Sequence, residues 1–462
     1  APISAARLFG PVGRIRPTAV AETGLRRRHG RGPASMLKPG VGGGGGRAAA
    51  GYLLRRSGLA DAPCDDCGGR ALPLAGPSMR GNDMTQEAVL EGPGAGRSAP
   101  VSKSPALRAD MLRRRAALPR ALAPQGGVSA SFWYNGRAAV YQGVRRLGLP
   151  EGGRVLVPAY CCGSEVDALL KAGARVELYR LRPDLSPDLD DLDRLAARGC
   201  AAIYVTHYFG IVQDLDPVLA LARGAGAAVI EDAALCLYGE TPAGEPVGRR
   251  GDVGIFSLSK FLPVPDGGAL VARQAGSGAA AAGRRPAWSA VLRKAKGLLR
   301  AAPAPGRGGG ASVPLIGPRE GQGALEVGRA AWAMSPVAAM ILRHWDHERT
   351  VERRRRNARR LAQLVAPGPR VRPLFATWRA DAVPPHFPVV AEDAAALHAH
   401  LRANGIEAVR FWRARHPSVS LKGFGFEAGL KESVIRLPIH QDLDEAALER
   451  IGRLVNDWNL RR

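Results

Sequence analysis

Lys260 closes the run Phe256-Ser257-Leu258-Ser259-Lys260, where an apolar stretch gives way to hydroxyls and an amine. A lysine in a partly dry cleft loses its proton more readily than one in water and can attack an aldehyde carbon. The hydroxyls of Ser257 and Ser259 suit an anion such as a phosphate. A second run, Val229-Ile230-Glu231-Asp232-Ala233-Ala234, is apolar and then ends in two acids. A carboxylate at such a point can keep an aromatic ring nitrogen protonated, which turns that ring into an electron sink. In an extended segment Glu231 and Asp232 face opposite sides, so only one of them can do this. Asn135-Gly136-Arg137 has the small residue that lets amides at a helix start approach a phosphate. His207, in Tyr204-Val205-Thr206-His207-Tyr208-Phe209-Gly210, can contact a ring cofactor or a substrate, or simply satisfy its loop. Each segment taken alone also reads as something ordinary: a plain helix start, a solvated loop acid, a loop histidine. Together they supply an amine, an acid and an anion cradle.

The periodicity of the chain provides elements to bring them together. From near Phe132, apolar runs alternate with helix-period segments, the pattern of a parallel sheet covered by helices. A helix is predicted from Gly136 to about Leu147, then strands Arg154–Val157, Arg175–Tyr179, Ala202–Val205, Ala228–Ile230, Val253–Ser257 and Gly268–Ala272. Helices at Ser164–Lys171, Leu189–Ala197 and Pro217–Arg223 fall between the earlier strands. Every segment singled out above lies at a strand end or a helix start, where such sheets place ligands. The division predicted is a disordered Gly/Ala/Arg-rich extension over 1–105, a large doubly wound α/β domain over 106–273, a Gly/Pro/Arg-rich linker or insertion over 274–335, and a long helix with a small α+β domain over 336–462. The long helix is predicted from Pro336 to about Val365, with later strands near His386–Val390 and Val434–Leu437 and helices at Asp393–Asn404 and Asp444–Asn456. Met79, Met84 and Met111 each read as an alternative start of the natural protein.

Composition narrows the function classes. Hydrophobic residues at 46% and charged residues at 23% are those of an ordinary globular protein rather than a disordered one. The net charge of +25 suggests nucleic acid at first sight. Much of the excess, however, sits in the first hundred residues, around Arg284–Arg307, and in the run Arg353–Arg356 with Arg359 and Arg360, which reads as one solvated helix face. No nucleic-acid partner is therefore expected. Cys64-Asp-Asp-Cys67 lacks a second ligand pair, so no metal site is assigned. The basic amphipathic segment Trp288–Leu299 reads as a linker helix in preference to a membrane-surface helix. No apolar run reaches about 18 residues, so no membrane insertion is expected and a cytoplasmic enzyme is the default.

The order and spacing of six segments carry a resemblance. They are Leu156-Val157-Pro158-Ala159-Tyr160, Leu170-Lys171-Ala172-Gly173-Ala174, Val205 to Gly210, Ile230 to Ala234, Gly251-Asp252-Val253-Gly254-Ile255-Phe256-Ser257, and Asp266-Gly267-Gly268-Ala269-Leu270. In this ordered set the chain resembles the DegT/DnrJ/EryC1/StrS aminotransferases, pyridoxal-phosphate (PLP) enzymes of fold type I. A weaker likeness runs on through Met334-Ser335-Pro336 to Leu437-Pro438-Ile439-His440, so that roughly the last 330 residues are covered.

The resemblance implies Lys260 as the lysine that forms an imine with the cofactor, and Asp232 as the partner of its ring nitrogen. It implies Gly136 and Arg137 at the phosphate, with Ser257 or Ser259 adding a hydroxyl, and Cys162 and His207 beside the ring. It further implies a homodimer that transfers an amino group from an amino acid such as glutamate to a nucleotide-linked keto sugar, for polysaccharide or glycoside biosynthesis. The alternatives are another PLP reaction, such as sugar deoxygenation or amino-acid chemistry, and a non-catalytic regulator on the same fold. Several positions depart from the family pattern. Arg137 replaces a Thr, Cys162 an aromatic, Leu235 a Gln or His, and Ala331 and Ala333 an Asn and an Arg of the partner subunit's site. Trp378, His386, Arg410, Trp412 and His440 are possible pocket residues, each also readable as structural.

Overall fold

The computed structural model describes residues 99–114, 116–273 and 325–460. The Cys64 and Cys67 pair and the segment Trp288–Leu299 lie outside the described residues. The larger sheet has seven strands: β1 (Val128–Trp133), β2 (Arg154–Pro158), β3 (Arg175–Tyr179), β4 (Ala202–Thr206), β5 (Ala228–Asp232), β6 (Val253–Ser257) and β7 (Gly268–Arg273), in the order β1-β7-β6-β5-β4-β2-β3. Strands β6, β5, β4, β2 and β3 run parallel, and β7 is antiparallel to both β6 and β1. A parallel strand covered on both faces must be apolar throughout. Every residue of β4 is indeed buried.

Helices α1 (Gly136–Leu147), α2 (Ser164–Lys171), α3 (Leu189–Ala196) and α4 (Asp216–Ala225) connect or cover these strands. One side of the sheet packs Ala138, Ala139, Val140 and Val144 of α1 with Val166 and Leu169 of α2 against Val155, Val157, Ile255 and Leu270. On the other, Leu192 and Leu195 of α3 and Val218 of α4 meet Leu156, Ile203, Val205 and Val229. The parallel order brings the carboxyl ends of β4, β5 and β6 side by side, with Thr206 opposite Asp232 and Asp232 opposite Ile255. That is the edge at which the reactive residues collect.

The predicted long helix is two helices, α5 (Pro336–His344) and α6 (His347–Leu364). The break falls at Trp345 and Asp346. Asp346 caps α6 through the amide of Arg349 at 3.0 Å, Trp345 turns its indole onto the Thr350 hydroxyl at 2.8 Å, and Leu112 bridges to the extended Trp345 backbone. A capping acid inside a helix-period run is the signal that the apolar period hid.

A smaller antiparallel sheet is formed by β8 (Val371–Pro373), β9 (His386–Ala391), β10 (Val409–Arg410) and β11 (Val434–Pro438), in the order β10-β11-β9-β8. Helices α6, α7 (Ala394–Ala403) and α9 (Glu445–Asn459) bury their apolar stripes against it, and α8 (Gly425–Ser433) leads into β11.

Packed contacts are also made by residues between 99 and 106. Val101 exchanges backbone bonds with Gly405 and Glu407, and the Ala106 amide donates to Asp442 at 2.7 Å. Residues from Leu325 are also packed, since the Tyr134 amide donates to the Trp332 carbonyl at 2.9 Å and the Lys171 ammonium to that of Leu325 at 2.7 Å.

Candidate active site

Asp232 ends β5, 6% exposed, on the face it shares with Tyr204 and Thr206 of β4. One carboxyl oxygen accepts from the Ala234 amide at 2.9 Å. Burial raises the Asp232 carboxyl above its usual range, and the neighbouring Glu165 carboxyl adds to the rise. The Lys260 ammonium, the Ala234 amide and the Tyr204 hydroxyl act against it. The Tyr204 hydroxyl lies close to Asp232 without meeting hydrogen-bond geometry. A buried acid in this state is best satisfied by an added cation.

Lys260 lies in the single turn that follows β6, half-buried. Its ammonium is felt by Asp232, by Cys162 and by His386, and stands 5.7 Å from the centre of the Trp412 ring. Two segments of the large sheet and two of the small one therefore converge on one amine.

The helix start at Gly136 forms the third part. Asn135 caps α1, its side chain accepting from the Ala138 amide at 2.9 Å. The turn leading into β7 comes so close that a side chain at Gly268 would overlap the Asn135 carbonyl, and Gly267 holds a φ of +133°. A Cβ on Gly136 would meet the Cβ of Ser257 at 3.4 Å. Ser257 is thus the hydroxyl at the helix start, whereas Ser259 is exposed. Arg137 follows in the first turn, half-buried. The positive helix end and the Ser257 hydroxyl are groups that can hold an anion.

Two sequence candidates have other engagements. His207 is fully buried and turned onto Glu231, Nε2 to carboxyl 3.1 Å, while its Nδ1 accepts from the Gln213 amide at 3.0 Å. The acceptor role fixes the proton on Nε2 and leaves neither ring nitrogen for a cofactor. Cys162 bonds through its thiol to Ser164 and Glu165, each at 2.7 Å, and through its amide to Glu165 at 2.8 Å. Burial and the Glu165 carboxyl push that thiol well up, so it lies beside the site as a neutral group.

Of the possible pocket residues, Trp412 faces Lys260 directly. His386 lies within electrostatic reach of the amine and accepts from the Arg436 guanidinium at 2.5 Å, its basicity suppressed by burial and that cation. His440 is buried with its pKa lowered to about 3 and donates to the Ser102 carbonyl at 3.0 Å. Arg410 pairs with Glu432 at 3.1 Å, and Trp378 packs on Phe375 and Phe387.

Glu165, 4% exposed in the first turn of α2, was missed by sequence reasoning. An acid at a helix start reads there as a partner for the helix dipole and conceals its role beside Asp232.

Residues 128–280 match the model of the DegT/DnrJ/EryC1/StrS aminotransferase family. Protein MosB of Rhizobium meliloti is 36% identical over 151 residues, covering 32% of this chain and 29% of that protein. An L-glutamine:scyllo-inosose aminotransferase of Streptomyces griseus is 34% identical over 29% of this chain and 32% of its own length. A GDP-perosamine synthase of Caulobacter vibrioides is 30% identical over 29% and 37%. The chain thus aligns with about a third of these relatives' length. Among solved structures, S. venezuelae DesV in complex with a ketimine intermediate superposes with a TM-score of 0.55 at 18% identity, over 74% of this chain and 87% of that one. A DegT DnrJ EryC1 StrS aminotransferase from Brucella abortus gives 0.50 at 20%, over 72% and 86%. The fold is that of these enzymes, a large mostly parallel sheet domain with a smaller C-terminal α+β part.

Proposed function

We propose that this chain, whose residues 128–280 match the DegT/DnrJ/EryC1/StrS aminotransferase family model, is a PLP-dependent aminotransferase moving an amino group from an amino acid to a nucleotide-linked keto sugar. The observation that carries the reading is the meeting of Lys260 with the buried Asp232 at the ends of neighbouring strands, with the α1 start and Ser257 beside them. The residues fit the cofactor. Asp232 would hold its ring nitrogen, because a cation there answers the charge that burial and Glu165 make costly. The Gly136 and Arg137 amides and the Ser257 hydroxyl would hold its phosphate.

When bound, the cofactor supplies an aldehyde for amines and a ring that accepts electrons. Lys260 would hold the cofactor through its Nζ, and that Nζ would take the proton from the donor's α-carbon. On the acceptor, the same Nζ would deliver a proton to the carbon that becomes the amine carbon. Trp412, packed on Tyr160 and Tyr208, faces the amine from the side of the small sheet.

Glutamate is the donor in this reading, and the relative named as a GDP-perosamine synthase supports a nucleotide-linked sugar. A homodimer acting in the cytoplasm, in polysaccharide or glycoside biosynthesis, completes it. Among the described residues no helix is long and apolar enough to cross a membrane. A second reading, with scyllo-inosose as acceptor, draws on the Streptomyces griseus relative. Purified protein given PLP is expected to develop an imine absorbance that Lys260→Ala abolishes and glutamate discharges. No such band in the parent would overturn the proposal. Ping-pong kinetics with glutamate and either a nucleotide keto sugar or scyllo-inosose then separates the two acceptors.

A further inference from the structure

Trp412 stands against the amine from the side of the small sheet. It is buried, its ring centre is 5.7 Å from Lys260 Nζ, and its backbone has a φ of 52°. A bulky residue holds that left-handed conformation only where its surroundings over-determine it. Three rings contribute, with Phe411 stacked at 4.5 Å, Tyr160 at 5.3 Å and Tyr208 at 5.9 Å.

The remaining constraint is a charge. Lys431 of α8 is 2% exposed, and its ammonium donates to the carbonyls of Cys161, of Trp412 at 3.1 Å and of Ala414 at 3.4 Å, while facing the Tyr160 ring at 5.9 Å. A buried ammonium is costly unless its protons find acceptors. Here three protons meet three carbonyls, two in the Trp412 turn and one in the loop after β2 that carries Cys162 and leads into α2. The cation is satisfied only while turn and loop are side by side.

We infer that Lys431 is a positioning residue, its ammonium pinning the Trp412 turn to the Cys161 loop so that the indole is held against Lys260 Nζ. The inference rests on the reading of Lys260 as the imine-forming lysine, and it is tested on the full chain by two readouts.

Without cofactor, the emission of Trp412 is obtained as the difference between each background and the same background carrying Trp412→Phe. In Lys431→Met, or in the milder Lys431→Gln if the former does not fold, this component is expected to move to longer wavelength as the ring meets water. Lys431→Arg, which keeps a cation and its donors, is expected to retain the parental position. An unmoved component in Lys431→Met or Lys431→Gln overturns the inference.

With PLP bound, Trp412→Phe is expected to lower the apparent pKa of the imine by about half a unit, through loss of the indole face from the cation. Lys431→Met should lower it equally, with no further drop in the double variant. A rise in both backgrounds would show that Lys431 acts by its own charge, and an unchanged pKa with only a lower melting temperature would show mere support. Either result overturns the inference. An absent imine band in the parent counts against the proposed function instead, and the emission shift then decides this inference alone.

Discussion

Glu231 and Asp232 are consecutive acids of one strand, both buried, and the pleat of β5 sends them into opposite environments. Glu231 accepts from His207 and from the amides of Gly248 at 2.9 Å, Arg250 at 2.7 Å and Gly251 at 2.5 Å. Burial alone would raise its pKa, but His207 and these amides outweigh it and the carboxyl is held below its usual range. Asp232 has the Ala234 amide on one oxygen and a raised pKa, from burial and from Glu165. The first acid is fully served by its own chain and ties the Gly248–Gly251 loop to the sheet. The second is left needing a positive partner, which marks the face open to a ligand.

The comparison breaks most sharply if the two acids exchange roles on mutation. In the proposed role, Asp232→Asn removes the charge that would hold the cofactor's ring nitrogen, and turnover is expected to fall by about 10²–10³, as for other preorganised electrostatic partners. Its melting temperature in the absence of cofactor should stay at or above the parent's, because a buried carboxyl that resists ionisation is being neutralised. A loss of stability with turnover retained would make Asp232 the structural acid. Steady-state rates and thermal unfolding of the same preparation decide it.

Glu231→Gln is the converse case. The amide cannot accept from four donors, and the expected cost is about 3 kcal/mol, the lower end for breaking a buried charged network. The folded fraction should still form the imine. The pH dependence sharpens the contrast through its sign. Glu231 has a folded pKa below its ordinary 4.5, so its contribution is fully present above that pH and is lost as pH falls through the lowered value. Asp232 has a folded pKa above its ordinary 3.8, so its ionisation penalises folding above the raised value, and the penalty fades as pH falls through it. Denaturant unfolding should therefore show the Glu231→Gln deficit shrinking on acidification, and any advantage of Asp232→Asn shrinking too. A Glu231→Gln deficit that grew toward low pH would refute the assignment.

Legibility followed the same division. The parallel strands were readable because double burial forces continuous apolar runs, and β3 and β6 have the predicted limits. The opposite facing of Glu231 and Asp232 was readable from the two-residue repeat of a strand, but not which acid found partners, since those come from a loop and from β4's end. His207 was ambiguous for that reason, its acceptor and donor needs being met by Gln213 and Glu231. Trp412 and Lys431 were harder still. Nothing local marks a lysine whose acceptors are carbonyls 19 and 270 residues away. The strand β1 escaped the pattern because Ser129 and Ser131 interrupt its apolar run, and among the named strands its neighbour is β7, at the sheet's edge.

The smallest expected effect tests whether sequence adjacency or helix geometry chooses the phosphate's hydroxyl. Ser257 and Ser259 sit on either side of Leu258, and either fits a motif read along the chain. In space Ser257 packs its Cβ against the position a Gly136 side chain would occupy, at the start of α1, while Ser259 is exposed. Ser257→Ala should weaken PLP binding by about fivefold, the equivalent of one hydrogen bond of about 1 kcal/mol. Ser259→Ala should leave the dissociation constant within error of the parent. Spectroscopic titration with PLP measures both, and equal losses, or a larger one at Ser259, would move the anion cradle off the α1 start and away from the geometry that sets Asp232 apart from Glu231.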